Sequence, residues 1–208
     1  MATKGVSTFT YPMEFKNAKK FVSELVKLPV GDRKLSVDPR FTLFVFLQLN
    51  TGLRASDVLS LRLRDIDFIG GVIYKKQKKT GKLRTIKIFS SAKKMLNRIM
   101  KLVRNSFTIT DFLFESPDTK DGILTVSWAN RLSKRWLNRL RIPHRTSSTH
   151  TFRKTYAKKV WDEAKKSGNA DAIMYLAAEI LGHSSIQDTY RYLGINPEAI
   201  NDIHKNLW

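Results

Sequence analysis

The sequence predicts a mainly α domain with one small three-stranded antiparallel sheet, an α+β architecture. Three observations carry this. Apolar residues recur at helical spacing along most of the chain. Alternation with a period of two is confined to residues 65–88, where turn signals separate three short runs. With 208 residues and 42% hydrophobic content, the chain can fill one sizeable core. Residues 1–12 are polar and aromatic without a period and read as a loosely ordered lead-in, so the folded domain is expected over residues 13–208.

Met13 to Leu28 puts Phe15, Ala18, Phe21, Val22, Leu25 and Val26 on one helical face, with Lys16, Lys19 and Lys20 opposite. Leu28-Pro29-Val30-Gly31-Asp32 breaks that helix. Pro39 opens a second helix, and Phe41 to Leu49 is apolar nearly all round, the mark of a buried helix. Asn50-Thr51-Gly52 stops it. A short helix follows, capped by Ser56 or Asp57, with Val58, Leu59 and Leu61 turned inward. Strands are expected over Asp65–Phe68, Val72–Tyr74 and Arg84–Ile88, joined by Gly70-Gly71 and by Lys79-Thr80-Gly81-Lys82.

Ser90-Ser91 caps a helix that runs to about Arg104. Phe112 to Phe114 is a short strand or turn, and Pro117 to Gly122 is a loop. Thr125 starts a helix with Trp128, Leu132, Trp136, Leu137 and Leu140 on its apolar side. Ser148 or Thr149 caps the next, which Gly168-Asn169-Ala170-Asp171 breaks. A helix from Asp171 ends at Gly182, Ser184 or Ser185 begins another segment, and Pro197 opens a short helix to Trp208.

Charge narrows the function. Lys and Arg number 38 against 18 acidic residues, a formal charge of +20. So large an excess calls for a polyanionic partner, and nucleic acid fits best because there is no 18-residue apolar run and no amphipathic membrane helix. No cysteine is present, which removes disulfides and thiolate metal sites and suits a reducing cytoplasm. Met-Ala-Thr-Lys lacks a signal-peptide pattern. There is no P-loop, no internal repeat and no evident metal-ligand cluster, so neither cofactor nor metal is expected.

The chemistry concentrates between Thr149 and Tyr192. His150 and Arg153 lie three apart on a helix, hence on one face. Such a pair suits a phosphodiester, with Arg clamping phosphate oxygens while His moves a proton. Leu181-Gly182-His183-Ser184-Ser185-Ile186 follows, and Tyr192 stands nine residues after His183. Either pattern alone is ordinary, a helix surface and a helix cap. Arg54 stands at a helix start, where a cation faces the wrong end of the helix dipole and an anionic ligand would explain it. Two arginines, a lysine, two histidines and a tyrosine can together break a DNA phosphodiester.

These residues resemble the tyrosine recombinase (phage integrase) family in the order and spacing of H-x-x-R, L-G-H-x and a tyrosine nine residues on. Thr51-Gly52-Leu53-Arg54-Ala55-Ser56-Asp57 is similar to the family's first arginine motif, with Asp57 where the family more often has Glu. The resemblance covers about residues 13 to 200 and implies the tyrosine recombinase catalytic-domain fold. It assigns Arg54, His150, Arg153 and His183 to the phosphate site and Tyr192 as the nucleophile in place of Tyr190, with Asp57 supporting. Tyr156 is read as packing. The Lys-Thr-Gly turn points to Lys79 as the catalytic lysine, with Lys78 and Lys82 as rivals.

DNA contacts are expected from Lys76, Lys78, Lys82, Arg131, Lys134, Arg135, Arg145 and Lys154, and the other lysines of that hairpin read as solvated. The implied activity is site-specific integration, excision or inversion through a 3′-phosphotyrosine. The alternatives are a type IB topoisomerase-like enzyme and a DNA-binding regulator that kept the fold. The implied partners are double-stranded DNA, accessory DNA-binding proteins and three further copies in a tetramer on DNA, the free chain being monomeric. The apolar tail from Leu193 to Trp208 is a candidate contact between copies. Family members usually carry an N-terminal DNA-clamping domain, and the short lead-in leaves no room for one within this sequence.

Overall fold

The computed structural model describes residues 9–29, 36–78, 81–106, 111–176, 181 and 185–193. Its helices are α1 (Phe15–Lys27), α2 (Pro39–Thr51), α3 (Ala55–Leu59), α4 (Ser90–Ser106), α5 (Val126–Arg139), α6 (Thr149–Lys166), α7 (Ala170–Tyr175) and α8 (Ile186–Leu193). Strands β1 (Ile66–Asp67), β2 (Val72–Lys76) and β3 (Leu83–Lys87) form an antiparallel sheet in the order β1-β2-β3. The expected helix from Pro197 lies outside the described residues.

Helix α2 is the shaft of the domain. The Asp38 side chain accepts from the Arg40 N–H at 2.9 Å, and Pro39 supplies the first helical φ. Every residue from Phe41 to Leu49 is buried, and α1, α3, α4, α5 and α6 all pack around it. Its aromatic rings reach outward to α1, α5 and the Phe114 segment. Phe41 meets Phe21 of α1 edge-on at 6.4 Å and Trp128 of α5 at 6.1 Å, and Phe44 meets Phe114 at 6.3 Å. The helix closes on Gly52, whose φ of 63° is left-handed and needs glycine.

The sheet differs from the expected strands in an informative way. β1 is only two residues long, and β2 continues past Tyr74 to Lys76. The inward side of β2 therefore carries Lys75 after Ile73, and the register sets Lys75 opposite Arg84 of β3. Both cations are buried, against the expectation of a solvated lysine run for Lys75. Lys75 Nζ donates to the Ser60 carbonyl at 2.6 Å and lies 3.7 Å from Asp65, and Arg84 Nη2 donates to the Thr51 carbonyl at 3.2 Å. Burial holds the Lys75 ammonium below its ordinary pKa, with Asp65 and Asp57 opposing. Arg84 thus fastens the sheet to the last residue of α2, and Lys75 fastens it to the C-terminal end of α3.

Two apolar clusters divide the chain. The larger gathers α1, α2, the sheet, α4 and α5, and takes Phe152 from α6. The smaller holds Ala157, Trp161, Leu176, Leu181 and Leu193, with Tyr190 and Tyr192 packed on it. Helix α6 belongs to both and crosses the seam at Arg153. Its N-terminus is fixed from α5: Asn130 Oδ1 accepts from the Thr149 N–H at 2.8 Å, while the Ser148 side chain makes no cap bond. Residues 9–13 lie against the start of the same helix. Tyr11 exchanges backbone bonds with Thr146 Oγ1 at 2.9 and 3.1 Å, and the Met13 N–H donates to Thr155 Oγ1 at 3.0 Å.

Phe44 is fully buried between Phe41 and Phe114, whereas Leu83 is 69% exposed on β3. Phe44→Ala is expected to lower unfolding stability by about 3–5 kcal/mol. Leu83→Ala should change it by less than about 0.5 kcal/mol. Urea denaturation of both variants checks this, and equal effects would contradict the placement of the core.

Candidate active site

The site is built where the left-handed turn after α2 meets α6. Arg54 flanks the first residue of α3 in extended conformation, and its own carbonyl accepts from the N–H groups of Asp57 and Val58. The cap expected from Ser56 or Asp57 is not formed; both residues lie inside the helix. The Asp57 carboxylate is instead buried, and Oδ1 accepts from the Lys78 N–H at 3.0 Å. That bond ties the end of β2 to the helix bearing Arg54. Arg54 Nη2 donates to the Leu181 carbonyl at 3.3 Å. Arg54 Nη1 is buried and has no hydrogen-bond partner among the described residues.

Arg153 comes from the first turns of α6 and is 3% exposed. Its Nη1 donates to the Gly52 carbonyl at 2.5 Å, and its Nη2 to the same Leu181 carbonyl at 3.3 Å. Burial pulls its pKa down and Tyr192 pushes it up, with Arg54 and Arg84 adding repulsion. Arginine stays charged through such shifts. Two guanidinium groups thus converge on one carbonyl oxygen, and a third cation, Arg84, lies close enough to be felt.

His150 and Tyr192 complete the group. His150 shows part of its ring to solvent. Burial of the remainder, then the charges of Arg153, Lys154 and Arg54, hold its pKa below the ordinary 6.5. It is therefore a neutral imidazole at pH 7, able to accept a proton. The Tyr192 hydroxyl is buried against Arg153. Burial raises the phenol pKa, while Arg153, by charge and by hydrogen bond, and Arg54 lower it. Tyr190 faces the other way, edge-on to Trp161 at 5.3 Å in the smaller core. Tyr156 is partly buried in that core, and burial raises its pKa too. The structure thus brings Arg54, His150, Arg153 and Tyr192 together and turns Tyr190 away.

Lys79 and His183 lie outside the described residues. Among the expected DNA contacts, Lys76, Lys78, Lys82, Arg131, Lys134, Arg135 and Arg145 are exposed. Arg145 stacks over the Tyr11 ring at 4.9 Å. Lys154 is different: it is buried within the site, its Nζ over the Tyr192 ring at 4.7 Å. Sequence reasoning missed this, as it missed Leu181 as the shared acceptor. A backbone carbonyl carries no residue-type signal, and Lys154 offers only its adjacency to Arg153.

The His150 shift makes a prediction with a definite sign. A folded-state pKa below the unfolded 6.5 means the unfolded chain binds the proton more readily, so the associated stability is present above pH 6.5 and is lost as pH falls through the folded value. An NMR titration should place the His150 midpoint below 6.5, and Arg54→Gln should raise it by removing one of the nearby positive charges. A midpoint at or above 6.5 in the unmodified chain would contradict the geometry.

Comparison with known proteins bears on family and fold. The sequence model of the phage integrase family matches residues 13–199. A probable integrase/recombinase of Acholeplasma phage L2 is 29% identical over 168 residues, covering 79% of this chain and 53% of that protein. The probable integrase/recombinase YoeC of Bacillus subtilis is 27% identical over 165 residues, covering 79% of this chain and 82% of that protein. Tyrosine recombinase XerC of Oceanobacillus iheyensis is 28% identical, covering 97% of this chain and 61% of that protein. The chain thus spans about half the length of the phage relative. Among solved structures, XerA recombinase superposes with a TM-score of 0.67 at 20% identity, over 96% of this chain and 66% of that one. XerH bound to its palindromic difH substrate, in a post-cleavage complex, gives a TM-score of 0.69 at 18% identity, over 99% of this chain and 55% of that one. With the family matched across its folded length and the fold shared with these recombinases, the chain belongs to the phage integrase family and has the tyrosine recombinase catalytic-domain fold.

Proposed function

We propose that this chain is the catalytic unit of a site-specific DNA recombinase that cuts and rejoins strands through a 3′-phosphotyrosine. The observation that carries the reading is the convergence of Arg54 and Arg153 on the Leu181 carbonyl, with His150 and Tyr192 close enough to feel both arginine charges. The family membership and the net charge of +20 support it.

In this reading the scissile phosphate takes the space between the two guanidinium groups. Arg54 and Arg153 stabilise the charge that builds on its non-bridging oxygens, and Arg54 Nη1 is a buried donor without a partner among the described residues. Tyr192 Oη attacks phosphorus while His150 takes the phenolic proton. The bond from phosphorus to the 5′ oxygen breaks, and Lys79 gives that oxygen its proton. His183 adds a hydrogen bond to the phosphate. A 5′-hydroxyl of a second strand then gives its proton back to Lys79 and attacks phosphorus, and Tyr192 leaves with a proton returned by His150. One phosphodiester is exchanged for another, so no nucleotide hydrolysis is required.

Trapping on a suicide DNA substrate that carries the cognate site tests this. The unmodified chain should form a covalent adduct in excess EDTA, because arginine and lysine charges act at the phosphate. Tyr192→Phe should abolish the adduct and leave DNA affinity within about threefold. Tyr190→Phe should still form it. An absolute magnesium requirement, or an adduct lost in Tyr190→Phe and kept in Tyr192→Phe, would overturn the reading.

Assembly follows from the stoichiometry. Recombination breaks four strands and each copy supplies one tyrosine, so the working form is a tetramer on two duplexes. Free copies at +20 repel one another, and DNA removes that repulsion. The residues from Leu193 to Trp208 are the proposed contact between copies, and the setting is the DNA-containing compartment of a bacterial or phage-infected cell. Light scattering with and without the cognate site, on the chain and on a version ending at Pro197, should show a DNA-dependent tetramer that the truncation weakens. A monomer active on a single duplex would contradict it.

A further inference from the structure

Lys154 poses a problem that the mechanism above does not use. It is 5% exposed, and burial alone pulls its pKa down to about 8, with no carboxylate among the described residues offsetting it. A buried cation without a counter-ion is unfavourable unless something else favours it. What surrounds this one is aromatic. Its Nζ lies over the Phe9 ring at 3.7 Å from the centroid and over the Tyr192 ring at 4.7 Å. A cation over a ring face is attracted by the ring's electron density, more strongly when the cation is desolvated.

Phe9 does not reach this place by chance of one contact. It packs edge-on against Tyr11 at 4.8 Å. Tyr11 is held by both of its backbone bonds to Thr146 Oγ1 and by Arg145 stacked on its ring. Met13 is bonded through its N–H to Thr155, one residue beyond Lys154. Residues 9–13 thus form a strap across the first turns of α6, and the ring at its end covers the lysine. The ring beneath the lysine is the one that carries the reacting oxygen.

We propose that Lys154 is a positioning residue, holding the Tyr192 ring and favouring its phenolate, and that Phe9 clamps it there. Deprotonation enriches the phenol ring in negative charge, so a cation on its face attracts phenolate more than phenol. Arg153 acts on the oxygen end of the same residue, and Lys154 acts on the face. At pH 7 the lysine is mostly charged, since its pKa remains near 8. The proposal rests on Tyr192 as the nucleophile, and it removes Lys154 from the residues that bind DNA phosphates directly.

The test uses two readouts at pH 7 on four forms of the full chain: unmodified, Lys154→Met, Lys154→Arg and Phe9→Leu. Methionine keeps the stem without charge, arginine keeps the charge, and leucine keeps apolar bulk without a π face. The first readout is the rate of covalent attachment to a suicide substrate in a single turnover, beside the DNA dissociation constant. Lys154→Met should slow attachment about 10-fold and Phe9→Leu about 3-fold, as one cation–π contact is worth. Lys154→Arg should recover to within about 3-fold, and DNA affinity should stay within about 3-fold throughout.

The second readout needs no DNA. The chain is labelled with 3-fluorotyrosine, and the Tyr192 fluorine signal is identified by its loss in Tyr192→Phe. Its chemical shift should move in Lys154→Met and Phe9→Leu and return in Lys154→Arg. Three results would overturn the proposal: arginine failing as badly as methionine, an unmoved Tyr192 signal in Lys154→Met, or a loss of DNA affinity that matches the loss of rate. If the unmodified chain attaches no DNA at all, the recombinase reading fails instead, and the fluorine signal still judges the contact.

Discussion

Two arginines sharing one carbonyl oxygen is the interaction on which this structure turns. Arg54 and Arg153 both donate to Leu181, and Arg153 also donates to Gly52. Like charges this close repel, and more strongly inside a protein than in water. The pair persists because carbonyl dipoles face it and because each arginine is fixed by a different part of the fold. Arg54 is set by the turn after α2, and Arg153 by the seam where α6 passes from one apolar cluster to the other. Leu181 buries its side chain in the smaller cluster and turns its carbonyl to both. An anion between the guanidiniums would relieve the repulsion.

The same constraint explains the surroundings. His150 remains neutral because burial and three nearby cations oppose its protonation. Tyr192 meets the opposite pull: burial resists ionisation while Arg153 and Arg54 favour it. Farther out, Arg84 fastens the sheet to the end of α2 through the Thr51 carbonyl, and Lys75 fastens it to the end of α3 through the Ser60 carbonyl. Asp57 adds a bond to the backbone of Lys78. The end of β2 is therefore anchored to the helix that presents Arg54. Aspartate does this at a position where the family more often has glutamate, and the short side chain still reaches.

Much of this was legible in the sequence, and the misses have physical causes. The all-apolar run of α2, the face of α1 and the spacing of His150 and Arg153 are patterns of period, and period survives translation into structure. The spacing also separated Tyr192 from Tyr190, which packs on Trp161. Lys75 was misjudged because β2 was drawn two residues short; continuing the alternation from Ile73 would have turned it inward. Lys154 could not be placed by local pattern, since the rings its Nζ lies over, Phe9 and Tyr192, are remote in sequence. Caps failed for a similar reason: the Thr149 N–H is satisfied by Asn130 of α5, not by a neighbour in the chain. Long-range polar contacts leave little local trace.

The account stands or falls on which oxygen becomes attached to DNA. Trypsin cleaves after Arg191, so Tyr190 and Tyr192 part into different peptides. The trapped adduct, stripped of most of its DNA by nuclease and digested, can be read by tandem mass spectrometry. The residual nucleotide is expected on the peptide that begins at Tyr192, joined through its phenolic oxygen. Nucleotide on the Tyr190 or Tyr156 peptide, or on no tyrosine at all, would contradict the arrangement of Arg54, Arg153 and Tyr192 as the site of strand cleavage.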